Sequence, residues 1–161
     1  MKTNFFLFIA LLALIFTSCS SDDDTPVDPT ISLVGTWELI SVTGALPLDL
    51  DMDGTSSSNV LEELPCFEDT IVVNEDETYN QEVTDVDVDA DLTSFPPVIT
   101  AECTGTILNQ EGTWTLDDTS LTFTPANGDP RTVVIELTET TLSFSDTLDD
   151  IGEVDLVFMR K

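Results

Sequence analysis

Short runs of alternating hydrophobic and polar positions dominate the chain from Leu33 onward. They are rich in Val, Ile, Thr and Phe, and turns containing Asp, Asn, Gly and Pro separate them, whereas no long stretch has apolar residues at helical spacing. The positions predicted to face inward are, run by run, Trp37, Leu39 and Ile40 or Val42; Ile71 and Val73; Tyr79 and Val83; Trp114 and Leu116; Leu121 and Phe123; Val133, Ile135 and Leu137; Leu142 and Phe144; Val154, Leu156 and Phe158. The pattern predicts an all-β domain, an antiparallel meander of about eight strands that forms a sandwich or barrel.

One short helix is predicted in the long loop between the first two runs. Ser57–Asn59 supplies N-cap candidates, and Val60, Leu61 and Leu64 give the helix an apolar side. Pro65 then ends it, because proline cannot continue a helix.

The first 18 residues have the composition of a secretory signal peptide. Lys2 gives a positive start, and Phe5–Phe16 is an uninterrupted apolar run followed by small residues. A membrane-spanning helix needs about 20 apolar residues, so this shorter run indicates a cleaved signal over residues 1–18. The acidic, proline-containing residues 19–32 are predicted to form an extended tether. The folded domain is expected to occupy residues 33–161.

The end of the signal, Phe16-Thr17-Ser18-Cys19, resembles a bacterial lipobox, with Phe16 where that motif prefers Leu. In the motif the cysteine becomes the lipidated first residue of the mature protein, which assigns lipidation to Cys19. The following Ser20–Asp24 is similar to the acidic stretch that directs Bacteroidetes lipoproteins to the outer face of the outer membrane. The resemblance therefore implies an exported, surface-exposed protein attached to the outer membrane through lipid. The other interpretation of this stretch, a solvated acidic linker, is compatible with it.

Charge excludes several classes of function. The chain has 4 Lys+Arg against 32 Asp+Glu, a net charge of −28, and no His. Such a surface repels nucleic-acid phosphates, so no nucleic-acid partner is expected. Without His, the Ser-His-Asp and Cys-His mechanisms are unavailable, and there is no glycine-rich phosphate loop or nucleophile elbow. Paired carboxylates are the only acid–base chemistry left, and they lack cationic and aromatic partners, so we predict no enzyme.

Two cysteines remain once Cys19 is assigned to lipid. Cys66 and Cys103 form an even number in a protein predicted to be exported, where thiols oxidise readily, so we predict that they form a disulfide. The bridge would close a loop of about 37 residues, which corresponds to roughly 3–4 kcal/mol of stabilisation in the loop-entropy account. Neither cysteine has a neighbouring cation in sequence, which disfavours a reactive thiol.

An aspartate-rich turn is the one candidate metal site. The DLDMDG sequence over residues 49–54 matches the first half of an EF-hand-type Ca²⁺ loop, with carboxylates at alternate positions and a glycine for the sharp turn. The predicted ligands are Asp49, Asp51, Asp53 and the Thr55 carbonyl. Val60 stands where the loop needs a bidentate Glu, while Glu62 and Glu63 lie close enough to reach back from the helix in a different register. The alternatives are a weak structural Ca²⁺ site, with Kd of about 10⁻⁴–10⁻³ M, and an acidic surface turn.

Gly35-Thr36-Trp37, preceded by Leu33-Val34, resembles the Gly-x-Trp opening of lipocalins, and Gly112-Thr113-Trp114 repeats the phrase. Together with the lipobox, the Asp-rich loop and the Pro65-Cys66 pair, the whole layout is similar to the lipocalin-like lipoproteins of Bacteroidetes. The sequence departs from that pattern in lacking the arginine that seals the barrel end. The resemblance implies an antiparallel lipocalin-like barrel, in some cases flattened, whose interior or open end holds a small apolar or amphipathic ligand.

Two functions from different classes follow. In the first, the barrel binds a small ligand, and the inward-facing Trp114, Phe123, Ile135 and Phe144 line the site. In the second, the protein is a non-enzymatic structural or interaction lipoprotein with a filled core and a Ca²⁺-stabilised loop, and it works through its acidic exterior or the loop over residues 44–65. Large inward side chains fill a small barrel and small ones leave a cavity, and the Leu, Ile, Val and Phe found here favour filling. Neither the ligand nor the oligomeric state follows from the sequence.

Overall fold

The structure, a computed structural model, describes residues 31–161 except 92, 94, 96, 97 and 149–151. Its elements are β1 (Gly35–Leu48), β2 (Ser57–Asn59), α1 (Val60–Glu63), β3 (Asp69–Val73), β4 (Thr78–Asp91), β5 (Val98–Asp117), β6 (Ser120–Pro125), β7 (Arg131–Leu137), β8 (Thr141–Leu148) and β9 (Gly152–Arg160). The predicted signal peptide, Cys19 and nearly all of the tether lie outside the described residues. In the part of the chain that the structure describes, no helix has the length and apolar character needed to cross a bilayer.

Eight of the strands close into an antiparallel barrel. Each strand from β3 to β8 pairs with the next along the chain, and β1 pairs with both β3 and β9, which closes the ring. The closing β1–β9 ladder runs from Trp37 opposite Arg160 to Gly44 opposite Val154. The short strand β2 adds to the other side of β1. The prediction of an all-β antiparallel meander with one short helix is confirmed.

A β-bulge decides which residue of the first strand follows Leu39 into the interior. The β1–β9 register shifts between Leu39 and Ser41, so the strict alternation is interrupted there. Val42 consequently lies fully buried, whereas Ile40 points outward and is exposed. An extra residue in one strand reverses which face the following side chains occupy.

Tight turns connect the barrel strands. Glu77 and Asp118 adopt positive φ angles of 63° and 55°, the left-handed backbone that tight hairpins use. In the turn before β4, the Asp76 carboxylate accepts hydrogen bonds from the Thr78 amide at 3.2 Å and the Thr78 hydroxyl at 2.6 Å. These two bonds lower the pKa of Asp76.

Large side chains fill one end of the barrel, which we call the closed end. It is formed by Trp37, Val73, Leu121, Leu142 and Phe158, all with almost no exposed surface. Buried apolar area of this kind is the main source of stability in a small β domain.

An arginine covers the closed end, so the expectation that the chain lacks a sealing arginine was wrong. The Arg160 guanidinium lies 4.2 Å from the centroid of the Trp37 ring, within cation–π distance. It also donates hydrogen bonds to the carbonyls of Val34 at 2.7 Å, Glu139 at 2.8 Å and Ser32. A Cβ on Gly35 would collide with this guanidinium, which explains the glycine of the Gly-x-Trp opening. Pairing of β9 with β1, and not sequence proximity, brings Arg160 to the tryptophan.

The segment over residues 49–68 connects β1 to β3 and contains α1. The Asn59 side chain caps this helix by accepting from the Leu61 amide at 3.3 Å. The predicted disulfide is present and joins Cys66 to Cys103 of β5, which fastens the segment to the sheet. A backbone hydrogen bond from Ala101 N–H to the Leu50 carbonyl, 3.1 Å long, adds a second attachment.

Candidate functional site

A cavity of about 260 Å³ lies inside the barrel, towards the end opposite the closed end. Part of its wall is apolar and part is polar. The apolar wall includes Ile71, Phe123, Phe144 and Leu156, and the polar wall includes Asp69, Tyr79, Gln81, Arg131 and Asp146. An apolar chamber with a few polar groups is the usual composition of a small-molecule site, and this one is slightly smaller than the common range of about 300–1,000 Å³.

Strand register explains why polar groups reach the cavity. On β3, Asp69 lies two residues before the buried Ile71, so both side chains face inward. On β4, Tyr79 and Gln81 have the same relation, and Gln81 pairs with Ile71 across the ladder. The cavity therefore continues the same inward rows of side chains that fill the closed end.

Gly112 makes room for the Tyr79 ring. The two residues are directly opposite each other in the β4–β5 ladder. A Cβ at position 112 would lie 2.8 Å from Tyr79 Cε1 and would collide with the Thr124 carbonyl. The Tyr79 ring instead packs edge-on against Phe123, with ring centroids 4.9 Å apart.

Asp69 is a buried carboxylate, with only 8% of its surface exposed. Its two oxygens accept hydrogen bonds from Gln81 Nε2 at 3.0 Å and 2.8 Å. Burial raises the pKa of Asp69 from 3.8 to about 6, although the Gln81 hydrogen bond and the nearby Arg131 charge act in the opposite direction. A carboxyl group with a shifted pKa in a cavity is a common feature of functional sites.

The Arg131 guanidinium is the cation of the cavity wall. Its Nη2 lies 2.9 Å from Asp146 Oδ2, and the group sits 5.6 Å from the centroid of the Phe144 ring. Burial raises the pKa of Tyr79, and the Arg131 charge lowers it by a smaller amount. One guanidinium thus acts on both Asp69 and Tyr79.

The Tyr79 hydroxyl is buried and has no hydrogen-bond partner among the described residues. The whole side chain is only 3% exposed. Buried polar groups without partners are rare in folded proteins, and each requires an explanation such as a bound water or a ligand.

Two of the four aromatic or aliphatic residues predicted to line a ligand site are in the cavity wall. Phe123 and Phe144 line it. Ile135 is buried, but it is not one of the described residues that line the cavity. Trp114 is half-buried beside the β3–β4 turn, where its indole N–H donates to the Asn74 carbonyl at 3.2 Å.

The sequence interpretation missed the polar wall of the cavity. Asp69, Gln81 and Arg131 were not singled out, although Asp69 and Gln81 occupy positions of predicted inward rows. A polar residue two positions from a buried aliphatic one, on two paired strands, is a signal that could have found them.

A second, more apolar cleft of about 250 Å³ lies between the 49–68 segment and the β4–β5 pair. Its wall includes Leu50, Val60, Leu64, Val86 and Val88. Phe67 and Val83 line both this cleft and the barrel cavity, so these two side chains stand between the two spaces.

The aspartate-rich turn brings together a different set of carboxylates from the predicted one. Oxygens of Asp49, Asp51 and Glu63 lie within 4.8 Å of one another. Asp53 instead accepts from the Thr55 amide at 2.7 Å. Glu63 is only 6% exposed and accepts from the Leu50 amide at 3.2 Å.

One oxygen of Asp49 has no partner. Asp49 Oδ2 accepts from the Gly54 amide at 3.1 Å, whereas its Oδ1 is buried without a hydrogen bond among the described residues. Carboxylate oxygens that converge and are not otherwise satisfied are the ligands that Ca²⁺ prefers.

Comparison with known proteins gives one family. The sequence profile described as "Lipocalin-like domain" matches residues 33–144. No curated protein sequence matches the chain. Among solved structures, the crystal structure of wild-type fluorescent protein UnaG is similar over 80% of this chain and 96% of that chain, with 13% sequence identity and a TM-score of 0.33.

Proposed function

The chain belongs to the lipocalin-like domain family, and we propose that it binds a small amphipathic molecule in its barrel cavity. One observation carries the proposal: a cavity of about 260 Å³ is lined by apolar side chains together with the buried, unpartnered hydroxyl-bearing Tyr79 and the buried Asp69. A buried hydroxyl without a hydrogen bond costs free energy, and a ligand that bonds to Tyr79 would recover it. The proposed activity is binding and not catalysis.

The second class of function, a structural protein with a filled core, is less well supported. The closed end is filled, but a cavity lined by Asp69 and Tyr79 remains within the barrel. A protein that needed only a rigid scaffold would gain stability by replacing these polar groups with aliphatic ones.

A titration with 1-octanol, followed by ¹H–¹⁵N NMR spectra, tests the binding proposal. We expect saturable shifts for amides around Phe123 and Phe144 on the cavity wall and none around Val134, which points outward. Leu156→Phe, which puts a larger side chain into the cavity, should weaken octanol binding by about tenfold or more. Val134→Phe makes a change of the same kind on the outer face and should leave binding unaltered.

Absence of saturable shifts at solubility-limited octanol would exclude this cavity as a binding site for small amphiphiles. Equal octanol affinity in the Leu156→Phe and native proteins would place any binding elsewhere.

We also propose that the aspartate-rich turn holds a structural Ca²⁺ ion, with Asp49, Asp51 and Glu63 as the carboxylate ligands. The convergence of these three side chains and the buried, unpartnered Asp49 Oδ1 support the proposal. The ion would join the turn to α1, because Glu63 belongs to that helix.

Thermal unfolding in 10 mM Ca²⁺, against 10 mM Mg²⁺ at equal ionic strength, tests the Ca²⁺ proposal. A site with Kd of about 10⁻⁴–10⁻³ M would add about 1–3 kcal/mol to the free energy of unfolding in Ca²⁺. Glu63→Gln should remove that gain. The matched control is Glu62→Gln, because Glu62 lies on the same helix and bonds to the Ser57 hydroxyl instead. Equal stabilisation by both ions would mean charge screening alone.

Finally, we propose that residues 1–18 are a lipoprotein signal peptide and that lipidated Cys19 anchors the domain to the outer membrane. The apolar run, the lipobox-like end and the acidic residues after Cys19 support this proposal. Labelling of growing cells with radioactive palmitate should mark the native protein and leave the Cys19→Ala variant unlabelled. Protease treatment of intact cells should then remove the protein if it faces the medium, whereas survival of the protein would place it on the periplasmic side.

A further inference from the structure

The barrel cavity carries more negative than positive charge. Among the residues that the structure describes, Asp69, Asp129 and Asp146 line it, together with one cation, Arg131. That cation is already engaged, because its Nη2 lies 2.9 Å from the Asp146 carboxylate. The rest of the chain contributes to a net charge of −28, so the surrounding potential has the same sign.

An anionic ligand is unfavourable in this setting. A carboxylate that enters a confined space loses its water, and here it would meet carboxylates whose charge no free cation of the described wall balances. Like charges brought together in this way reject a ligand even when its apolar part fits.

Asp69 has unused hydrogen-bonding capacity. Each of its oxygens accepts one contact from Gln81, and an ionised carboxylate has about four acceptor sites. No Lys or Arg in the described ranges forms an ion pair with it. A donor group on a ligand would complete the shell of this buried charge.

We propose that the ligand of the cavity carries an uncharged or cationic donor group, an alcohol or a primary amine, that binds the Asp69 carboxylate, and that the cavity rejects carboxylate-headed molecules of the same length. This inference rests on the proposed ligand-binding function and adds the chemical class of the ligand. The buried, unpartnered Tyr79 hydroxyl belongs to a residue of the same cavity wall and is a second polar group for such a ligand.

The test uses three probes of equal chain length: 1-octylamine, 1-octanol and octanoate. At about pH 7.5 we expect octylamine to bind at least about tenfold more tightly than octanoate, with the affinity of octanol between the two. In Asp69→Asn, the ratio of amine to octanol affinity should fall to about one. Glu136→Gln removes one exposed carboxylate outside the cavity and should leave the ratios unchanged, which separates a local contact from the general effect of net charge.

A pH series gives an independent readout. The other titratable or charged groups that line the cavity with Asp69 are Tyr79 on β4, Asp129 and Arg131 near the start of β7, and Asp146 on β8. Burial holds the pKa of Asp69 at about 6, so its carboxyl is mostly protonated at about pH 5 and ionised at about pH 7.5. The amine-to-octanol affinity ratio should therefore rise between these pH values in the native protein and stay level in Asp69→Asn.

The outcomes separate the two claims. If none of the three probes binds, the proposed function itself is wrong. If octanol binds and octanoate binds as tightly as octylamine, the cavity is a ligand site but the inference about the head group is overturned. A preference for the amine that survives Asp69→Asn and disappears in high salt would assign it to the acidic surface and also overturn the role of Asp69.

Discussion

The closed end of the barrel is filled by the side chains of Trp37, Leu142 and Phe158. The Arg160 guanidinium lies over the Trp37 ring. Towards the other end, the same inward rows of side chains continue with Asp69 and Gln81 and leave a cavity. Both regions are built from the same set of strands. They differ only in which residue types occupy successive inward positions.

The two regions differ in how well their buried polar groups are satisfied. The closed end satisfies its polar groups: the Trp37 indole N–H donates to the Leu33 carbonyl at 2.8 Å, and the Arg160 guanidinium donates to three carbonyls. The cavity end keeps a destabilised Asp69 carboxylate and an unpartnered Tyr79 hydroxyl. Local features that lower stability concentrate where a protein acts on other molecules.

The largest expected difference between the two ends comes from removing a phenylalanine at each. Phe158→Ala at the closed end should lower the free energy of unfolding by about 3–5 kcal/mol, because the surrounding packing cannot collapse onto the void. Phe123→Ala should cost about 2–3 kcal/mol, since its side chain already borders open space. Urea unfolding monitored by tryptophan fluorescence measures both. Equal losses would mean that the cavity wall is packed as tightly as the closed end.

Loss of the disulfide should affect the cavity end more than the closed end. The Cys66→Ser/Cys103→Ser protein should lose about 3–4 kcal/mol of unfolding free energy, because the unfolded chain is no longer cross-linked. Hydrogen exchange should accelerate most in the 49–68 segment and least around Trp37, since local opening begins where attachments are fewest. Uniform acceleration along the whole chain would contradict the division between the two ends.

Asp69 should make stability depend on pH in a way that the closed end does not. Its pKa is raised in the folded protein from 3.8 to about 6, so the folded state holds the proton more tightly than the unfolded state. Its contribution to stability is therefore complete below pH 3.8 and is lost as pH rises to about 6, a total of about 3 kcal/mol. Asp69→Asn should gain that amount over the native protein between about pH 4 and pH 7.

Chemical unfolding at a series of pH values measures the effect of Asp69→Asn, with Glu136→Gln as the control for loss of one charge. A constant difference between Asp69→Asn and the native protein across this range would show that the Asp69 carboxyl titrates normally.

The smallest expected effect is that of the Tyr79 hydroxyl on stability. Tyr79→Phe removes a buried group that makes no hydrogen bond, so the free energy of unfolding should stay within about 1 kcal/mol of the native value or rise. Octylamine binding should nevertheless weaken, because the ligand head loses a partner. A loss of stability above about 2 kcal/mol, with unchanged binding, would instead show that the hydroxyl is bonded within the folded protein.

The strands were predictable because alternation is a local property of the chain. Residues such as Ile71, Val73 and Phe158 were assigned inward by the period of two alone, and the structure buries them. The bulge after Leu39 was not predictable, because it depends on the register with β9, more than a hundred residues away along the chain. Long-range register is also why Arg160 was missed as the cover of Trp37.

The two Gly-x-Trp motifs show that a short motif does not determine how deeply its tryptophan is buried. Trp37 is fully buried and Trp114 is half-buried, although their sequence contexts are nearly the same. Their glycines also differ in use, since Gly35 leaves space for the Arg160 guanidinium and Gly112 for the Tyr79 ring. The polar wall of the cavity could not be distinguished from surface residues by sequence. Asp69 is one of 32 acidic residues, and only its burial in the structure sets it apart.

Closure of the barrel through β1 and β9 has a kinetic consequence. The contact between Trp37 and Arg160 joins residues near the two ends of the domain, so the ring cannot form until β9 has been synthesised. Folds dominated by such distant pairings reach the native state in milliseconds to seconds, because much chain entropy is lost before the final contacts form. A growing chain of this domain therefore keeps its barrel open until the last strand has been synthesised.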